Sequence, residues 1–338
     1  MNVNEAFDAF QKRVNASDDD IKEARRRRDL FKTAFGGRDD VDDVIASGSL
    51  RRGTHKHPIH DVDVIVVFKD GTHPEWGDSG ESAADALDHV RGEVNNLLGA
   101  TNGTVAKEVR LASPRNHAVK CFLDDPEVEG AFTVDAMPAL RRDGMLLIPE
   151  KINEKWVPSD PEYLIEQVAK KHAEWNRFAG LVRMLKAWAV LQDTKIKSLV
   201  MEVLALDLLG DGPNRPAALK KFFVEAAYRV ESLDPIVDPA DVCGEIQRDL
   251  DMATLAERLH EAARLATQAI SAVSNNDQAK AVGLWGAVFG EDFPKPPPPS
   301  SDGLTPALVA WPPSGDGKAL PSPATVVMIP AALTFLMR

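Results

Sequence analysis

Cysteine is scarce in this chain. Cys121 and Cys243 are the two in 338 residues, and their wide separation matches neither a disulfide framework nor a zinc ribbon. Both are expected to be inert core thiols in a reducing cytoplasm. Long apolar runs are missing as well. Nothing approaches the ~20 consecutive apolar residues of a membrane-spanning helix. The nearest candidate, "ATVVMIPAALTFLMR" at 324–338, is short and interrupted by Pro330; a buried strand, a docking tail and an interfacial segment all remain open for it. Positive charge is in deficit, with 40 Lys and Arg against 52 Asp and Glu and a formal net charge of −12. That balance argues against a surface built mainly to hold DNA or RNA, although local basic clusters remain possible. The N-terminal "MNVNEAFDAF" lacks the charged-then-apolar pattern of a secretion signal, so a cytoplasmic location is expected. No internal repeat is evident.

What is present reads as a soluble, globular chain, 44% hydrophobic and 27% charged, long enough for two domains or one bilobed unit. Residues 4–35 have amphipathic helical spacing. Phe7, Phe10 and Val14 share a face, and "SDDD" from Ser17 supplies an N-cap followed by first-turn acids. The basic run Arg25–Arg28 is expected to be a solvated helix face. From 44 to 148 the texture turns to short β-type runs: "VIASG", "DVDVIVVF", "TVAKEVRLA", "HAVKCFL" and "FTVDAMPAL". The run "TVAKEVRLA" is expected to place Val105, Val109 and Leu111 on one face. A helical segment, "ESAADALDHVRGEVNNLLG", interrupts these strands. A mixed sheet with a packed helix follows from that order.

Residues 161–290 are almost wholly helical, with Leu181, Val182, Leu185, Trp188 and Ala189 forming one apolar stripe and Leu199, Val203 and Leu206 another. Eleven of the 23 prolines fall between Pro294 and Pro330, the composition of an extended linker or tail. The expected division is an N-terminal helical segment at 1–40 packing on the core, a catalytic core at 41–158, a helical lobe at 159–292 and a Pro-rich linker and tail at 293–338.

One stretch, "ASGSLRRGTHKHPIHDVDVIVVF" from Ala46 to Phe68, carries the chemistry. Asp61 and Asp63 are two apart on a strand and project from one face. Two such carboxylates repel unless a cation sits between them, and hard oxygen ligands of this kind suit Mg²⁺. An ordinary turn feeding a buried strand would also accommodate them. Gly48-Ser49, twelve residues earlier, permits close backbone approach to a phosphate and offers a hydroxyl and an N–H beside it. A helix starting at Ser49 would favour an anion there. Arg51, Arg52 and Lys56 give the intervening loop a field suited to a triphosphate. Asp135 in "FTVDAMPAL" supplies the third carboxylate that two-metal phosphoryl transfer usually requires; the bland alternative for it is a satisfied strand-end residue.

Together these motifs resemble the DNA polymerase β type of nucleotidyltransferase. More narrowly they resemble its oligoadenylate synthase and cyclic-oligonucleotide synthase branch, the bacterial CD-NTases. "LVRMLKAW" with Lys186, "KSLVMEVLA" with Ser198 and Glu202, and "KWVPSDPEYL" between the lobes are in the same style, and the likeness spans roughly residues 40–290. The resemblance implies an α+β, bilobed nucleotidyltransferase fold: a mixed β-sheet nucleotidyltransferase catalytic core at 41–158 with flanking helices and a C-terminal helical lobe. It implies that Asp61, Asp63 and Asp135 are catalytic and bind two Mg²⁺ ions, with Mn²⁺ as a substitute. Gly48 and Ser49 would hold the β- and γ-phosphates, with Lys186 and Ser198 reaching the triphosphate from the helical lobe.

The residues themselves also allow Lys186 to snorkel along its helix and Ser198 to cap one. Glu202, one turn beyond Ser198, is expected to be a structural partner. The implied activity is attack of a sugar hydroxyl on the α-phosphate of an NTP, ATP among them, with pyrophosphate leaving, to make a cyclic di- or trinucleotide or a linear oligonucleotide in antiphage signalling. Regulatory or effector proteins are the implied partners. The zinc-bearing insertion and basic surface of the animal DNA-sensing relatives have no counterpart, so activation by DNA is not expected.

Several signals read as minor. "HKHPIH" holds His55, His57 and His60, but zinc needs four ligands and no cysteine is near, so a loop or substrate-contact role is expected. Trp156, Trp175 and Tyr163 are candidates for base stacking, whereas Trp188 and Trp285 read as core. The alternative activity is a template-independent nucleotidyltransferase acting on an RNA end, an antibiotic or a protein; a degenerate nucleotide-binding scaffold is the non-enzymatic reading.

Overall fold

The computed structural model describes residues 1–99, 108–210 and 212–296. The Pro-rich tail from 297, the apolar run at 324–338 and the start of "TVAKEVRLA" with Val105 lie outside the described residues. Two helices open the chain, α1 (Val3–Val14) and α2 (Asp18–Gly36). Each begins at a capping box, Asn2 with Glu5 and Ser17 with Asp20, which satisfies two otherwise orphaned N–H groups reciprocally. A mixed sheet follows, with β1 (Val41–Ser47), β2 (Asp61–Phe68), β3 (Leu111–Pro114), β4 (Val119–Phe122), β5 (Thr133–Arg142), β6 (Met145–Glu150) and β7 (Lys155–Ser159). The short α3 (Gly48–Arg52) links β1 to β2, and α4 (Ser82–Leu97) follows β2.

The strand order is β1-β2-β5-β4-β3, with β6 paired to the far end of β5 and β7 to β6. β2 and β5 run parallel, whereas β1–β2, β4–β5 and β3–β4 are antiparallel. Six helices complete the described chain: α5 (Pro161–Glu174), α6 (Phe178–Val190), α7 (Ser198–Leu208), α8 (Arg215–Glu231), α9 (Met252–Ser274) and α10 (Gln278–Phe289). Among the described residues no helix is long and apolar enough to cross a membrane.

Strand alternation sorts β2 onto two faces. Val62, Val64, Val66 and Phe68 enter a core with Phe31 and Phe35 of α2 and Leu87, Val90 and Val94 of α4. The opposite face carries Asp61 and Asp63, then Ile65 and Val67, which pack in a smaller cluster with Ala139 and Leu146. A separate core joins the helices, and α1 belongs to it. Phe7 and Phe10 are fully buried, and Phe7 meets Trp285 edge-on at 5.0 Å and Phe293 at 5.0 Å. Each such ring contributes about 1.5–3 kcal/mol by burial. Trp188 is buried against Phe223.

Two expectations are corrected here. Leu111 is exposed while Val109 is buried. Val109 bridges to Gly99 outside any strand and the chain bends at Arg110 before β3 begins, so the alternation restarts with Ala112 as the buried residue. Cys121 is a core thiol but Cys243 is exposed. Cys243 lies in the irregular segment between α8 and α9, outside any helix or strand whose buried face would take it in. Asp238 beside it adds to partial burial in raising its thiol to about 11, so it stays protonated.

Candidate active site

The register between β2 and β5 sets Asp61 opposite Thr133 and Asp63 opposite Asp135. Side chains at matched positions of neighbouring strands share a face about 4.8 Å apart, and Asp61 follows Asp63 on that face at roughly 6.7 Å. The three carboxylates expected from the sequence therefore converge at the mouth of two parallel strands. Lys120 of β4 pairs with Asp135 across the next ladder, which places a cation on the same face.

The electrostatics are those of crowded acids. Asp63 is pushed up to about 7, first by burial and then by the Asp61 and Asp135 carboxylates, with Arg52 opposing. Asp135 is raised too, by burial above all, with Lys120 opposing and Asp61 adding. Its Oδ1 is buried without a hydrogen-bond partner among the described residues. A buried carboxylate oxygen with no donor is costly, and a hard cation is the group that would satisfy it. The carboxylate set thus fits a divalent metal.

Gly48 closes this site from β1. Ser47 is the register partner of Asp63, and Gly48 follows with φ +71°, where a Cβ would drive into the Asp63 carboxylate. Glycine is required there twice over, by the left-handed backbone and by the missing space. α3 starts at Gly48 and ends at Gly53, also left-handed at φ 69°. With five residues its dipole is small, and its first-turn N–H groups are what it offers an anion.

The loop after α3 is pinned from several sides. Thr54 N donates to Ser49 O at 3.0 Å and His57 N to Val14 O at 2.9 Å. Arg183 of α6 donates to Gly53 O at 2.5 Å and to Asn15 Oδ1 at 2.8 Å. At the centre lies a buried network. Glu202 of α7 accepts from Arg52 Nε at 2.6 Å, from Thr54 Oγ1 at 2.9 Å and from the Lys186 ammonium. Lys186 Nζ also donates to Thr54 O at 3.0 Å. Burial alone would raise Glu202, but Lys186 and Arg52 outweigh it and hold the carboxyl at about 2. The Lys186 ammonium is therefore turned toward Glu202 and Thr54, and Glu202 is a structural partner of two cations.

Two cavities meet at Asp61. One, of about 200 Å³, is lined by Ser49, His55, Asp61, Lys186 and Ser198 among others. The other, of about 410 Å³, is lined by Asp61, Lys120, Phe122 and Asp135 among others. Together they are in the size range of sites for small organic ligands, roughly 300–1,000 Å³. A groove of about 460 Å³ along Tyr163, Lys170 and Val237 lies on the helical side, away from Asp61, Asp63 and Asp135. Ser198 is the first residue of α7, with Lys197 at the cap position, so its hydroxyl does not cap the helix and faces the first cavity instead.

The histidines of "HKHPIH" diverge. His55 enters the first cavity, and burial followed by Arg183 and Lys186 lowers it to about 4, so it is neutral at physiological pH. His57 turns away to Asp20 at 3.5 Å, whereas His60 lies against Gly130 and lines both cavities. Trp156 donates from Nε1 to Ser82 Oγ at 2.9 Å in the sheet core, away from both cavities. Thr54 and Lys120 border this region without having been singled out by motif; Arg52 was expected as part of the loop's positive field and His55 in a loop or substrate-contact role. For Lys120 a signal existed: in "HAVKCFL" it alternates with the buried Val119 and Cys121 and so had to share the polar face.

Comparison with known proteins gives the family. Residues 1–172 match the Second Messenger Oligonucleotide or Dinucleotide Synthetase (SMODS) domain. A cyclic AMP-AMP-AMP synthase of Escherichia coli MS 115-1 is 26% identical over 284 residues, 74% of this chain and 83% of that protein. The structure of E. coli MS115-1 CdnC with ATP superposes with a TM-score of 0.68 at 19% identity, covering 87% of this chain and 99% of CdnC. The complex of CdnC with HORMA-deltaN gives 0.65 at 20% identity over 86% and 98%. With its α+β fold, mixed sheet and more than half its length matched, this chain belongs to the SMODS family and is a nucleotidyltransferase of the CD-NTase type, a cyclic oligonucleotide synthase.

Proposed function

We propose that Asp61, Asp63 and Asp135 are the catalytic carboxylates and that they hold two Mg²⁺ ions beside the α-phosphate of a bound NTP. The reading rests on one observation, the in-register pairing of Asp63 with Asp135 while Asp61 shares their face. Bound ions of this kind stabilise charge on both the attacking and the leaving oxygen. Gly48 and Ser49 present backbone N–H groups and a hydroxyl to the β- and γ-phosphates. Ser198 borders the same cavity, while Lys186 and Arg52 leave an excess positive charge over Glu202 that favours a polyanion. His55, held neutral, offers hydrogen bonds without adding charge. The sugar hydroxyl enters from the Asp135 side, and that carboxylate helps to take its proton. The catalytic core is assigned to 41–158 and the helical lobe to 159–292.

The similarity to a cyclic AMP-AMP-AMP synthase supports ATP as a substrate and a cyclic di- or trinucleotide as product, made in the cytoplasm as an antiphage signal. The HORMA complex of CdnC supports a regulatory protein partner of that kind for this chain. The test incubates the full chain with radiolabelled NTPs and Mg²⁺ or Mn²⁺, with and without a HORMA-domain protein, and treats the products with phosphatase. A phosphatase-resistant small product, absent with Asp61→Asn or Asp63→Asn, is the expected result. Label that reaches only an added RNA, antibiotic or protein assigns the chain to the alternative transferase activity.

A further inference from the structure

A second cluster of metal-ligating side chains lies at the other end of β2, roughly 20 Å from Asp61 along the strand. Asp40 precedes β1, His73 lies in the loop after β2, and His89 is on α4. One ligand atom from each comes within 4.8 Å of the other two. His73 Nε2 is 3.5 Å and His89 Nε2 is 3.6 Å from the same oxygen, Asp40 Oδ2. Both Nε2 atoms are buried and have no hydrogen-bond partner among the described residues. These separations are long for an N–H···O bond. They are close to the edge of a tetrahedron with 2.0–2.1 Å metal–ligand bonds, roughly 3.3–3.4 Å.

From this geometry we infer that Asp40, His73 and His89 form a binding site for a borderline transition-metal cation, Zn²⁺ foremost. Two imidazoles and one carboxylate suit Zn²⁺, whereas Mg²⁺ demands oxygen. The side chains are 20–29% exposed, which leaves an entry path and a fourth position for water. The surroundings fix the ligands. His73 stacks on Trp76 at 3.8 Å and 10°, and the buried Phe68 ring meets His73 and His89 edge-on at 5.5 and 5.7 Å.

Arg38 holds Asp40 through Nε at 2.9 Å and Nη2 at 3.0 Å and also pairs with Glu93, one turn beyond His89. A carboxylate has about four lone-pair positions, so Asp40 can accept from Arg38 and still ligate, and hydrogen-bonded ligating carboxylates are common. With both imidazoles neutral, Asp40, Glu93 and Arg38 sum to one negative charge, which favours a cation. The ion would tie the start of β1, the loop after β2 and α4 together. This inference does not depend on the roles proposed for Asp61, Asp63 and Asp135.

The test strips the full chain with chelator and titrates it with Zn²⁺ in excess Mg²⁺, reading bound metal by equilibrium dialysis and elemental analysis. One Zn²⁺ per chain is expected. Binding should weaken by at least roughly a hundredfold, the upper end of what losing even an outer partner costs, in folded His73→Gln and in His89→Gln, and stay unchanged in Asp61→Asn. Less than one ion in the native chain, binding indifferent to both histidine variants, or binding lost in Asp61→Asn overturns the assignment. Should the glutamine variants fail to fold, Co²⁺ added to the native chain decides. Visible bands of four-coordinate cobalt, displaced by one equivalent of Zn²⁺, support the site, and their absence overturns it.

Discussion

Replacing Asp63 by Asn should make the metal-free protein more stable at alkaline pH while removing its response to Mg²⁺. In the folded chain the Asp63 carboxyl sits at about 7 against an ordinary 3.8. Below 3.8 both folded and unfolded chains hold the proton and the residue is neutral in its effect. Between 3.8 and 7 the unfolded chain releases the proton while the folded chain keeps it, so stability falls as pH rises through that window. Above 7 the penalty is constant, at most about 4 kcal/mol at 1.4 kcal/mol per decade. The Asn amide is still a polar group placed in the same buried position, so about 1–3 kcal/mol is expected to be recovered. That is a rise in Tm of about 2–6 °C for a chain of this size. Thermal melts with chelator at pH 5 and pH 8 give the comparison. The variant's advantage should be larger at pH 8, and added Mg²⁺ should raise the Tm of the native chain but not of the variant. Equal Tm differences at the two pH values, together with a retained Mg²⁺ response, would refute the account of Asp63 as a carboxylate held in check by its neighbours.

Gly48→Ala should lower kcat/KM by about a hundredfold or more, the cost of misplacing a reacting group by roughly 1 Å. The strained backbone itself should cost only about 1–2 kcal/mol, which a melting curve checks. Lys120→Met removes the cation facing Asp135, so the acidic limb of the pH–rate profile should move to higher pH; an unmoved limb would count against Asp135 as the titrating group. Glu202→Gln leaves Lys186 and Arg52 buried without their anion and should destabilise by about 3–5 kcal/mol. Because the folded Glu202 lies at about 2, below the ordinary 4.5, its contribution is present above pH 4.5 and is lost as pH falls toward 2. Acid denaturation across that range should therefore be shallower in the variant.

The chemistry of β2 was legible because its alternation is local: in "DVDVIVVF" a period of two separates the Asp61–Asp63 face from Val62 and Val64 without knowledge of any partner. Ser17 as a cap and Phe7 and Phe10 as one face were legible for the same reason. Register was not. That Asp63 meets Asp135 depends on which strand β2 chooses, and its partner β5, which buries Val134, Ala136 and Leu140 in the same core as Val62, Val64 and Val66, lies far along the chain. The Arg52–Glu202 contact spans 150 positions, and neither residue sits in a periodic pattern that announces a partner. Asp40, His73 and His89 are individually ordinary, so their convergence around Phe68 had no trace in spacing. Of the adjacent histidines of "HKHPIH", which looked suggestive together, His57 turns away to Asp20 while His55 and His60 line one cavity, in a loop pinned at Gly53, Thr54 and His57.

The buried Lys186–Glu202–Arg52 network is best understood through position. Against a well-packed apolar replacement, a buried ion pair contributes little net stability, because desolvation offsets most of the attraction. Here every donor comes from a different place: Arg52 from α3, Thr54 from the following loop, Lys186 from α6, all onto one carboxylate of α7. Such an arrangement is satisfied only when α3 and its loop stand at one distance from α6 and α7. An apolar contact in the same volume would tolerate sliding. Since α3 begins at Gly48, against the Asp63 carboxylate, the position of Glu202 is transmitted through a single short helix to the carboxylate end of β2. A residue with no contact to substrate can therefore set the geometry of the carboxylates.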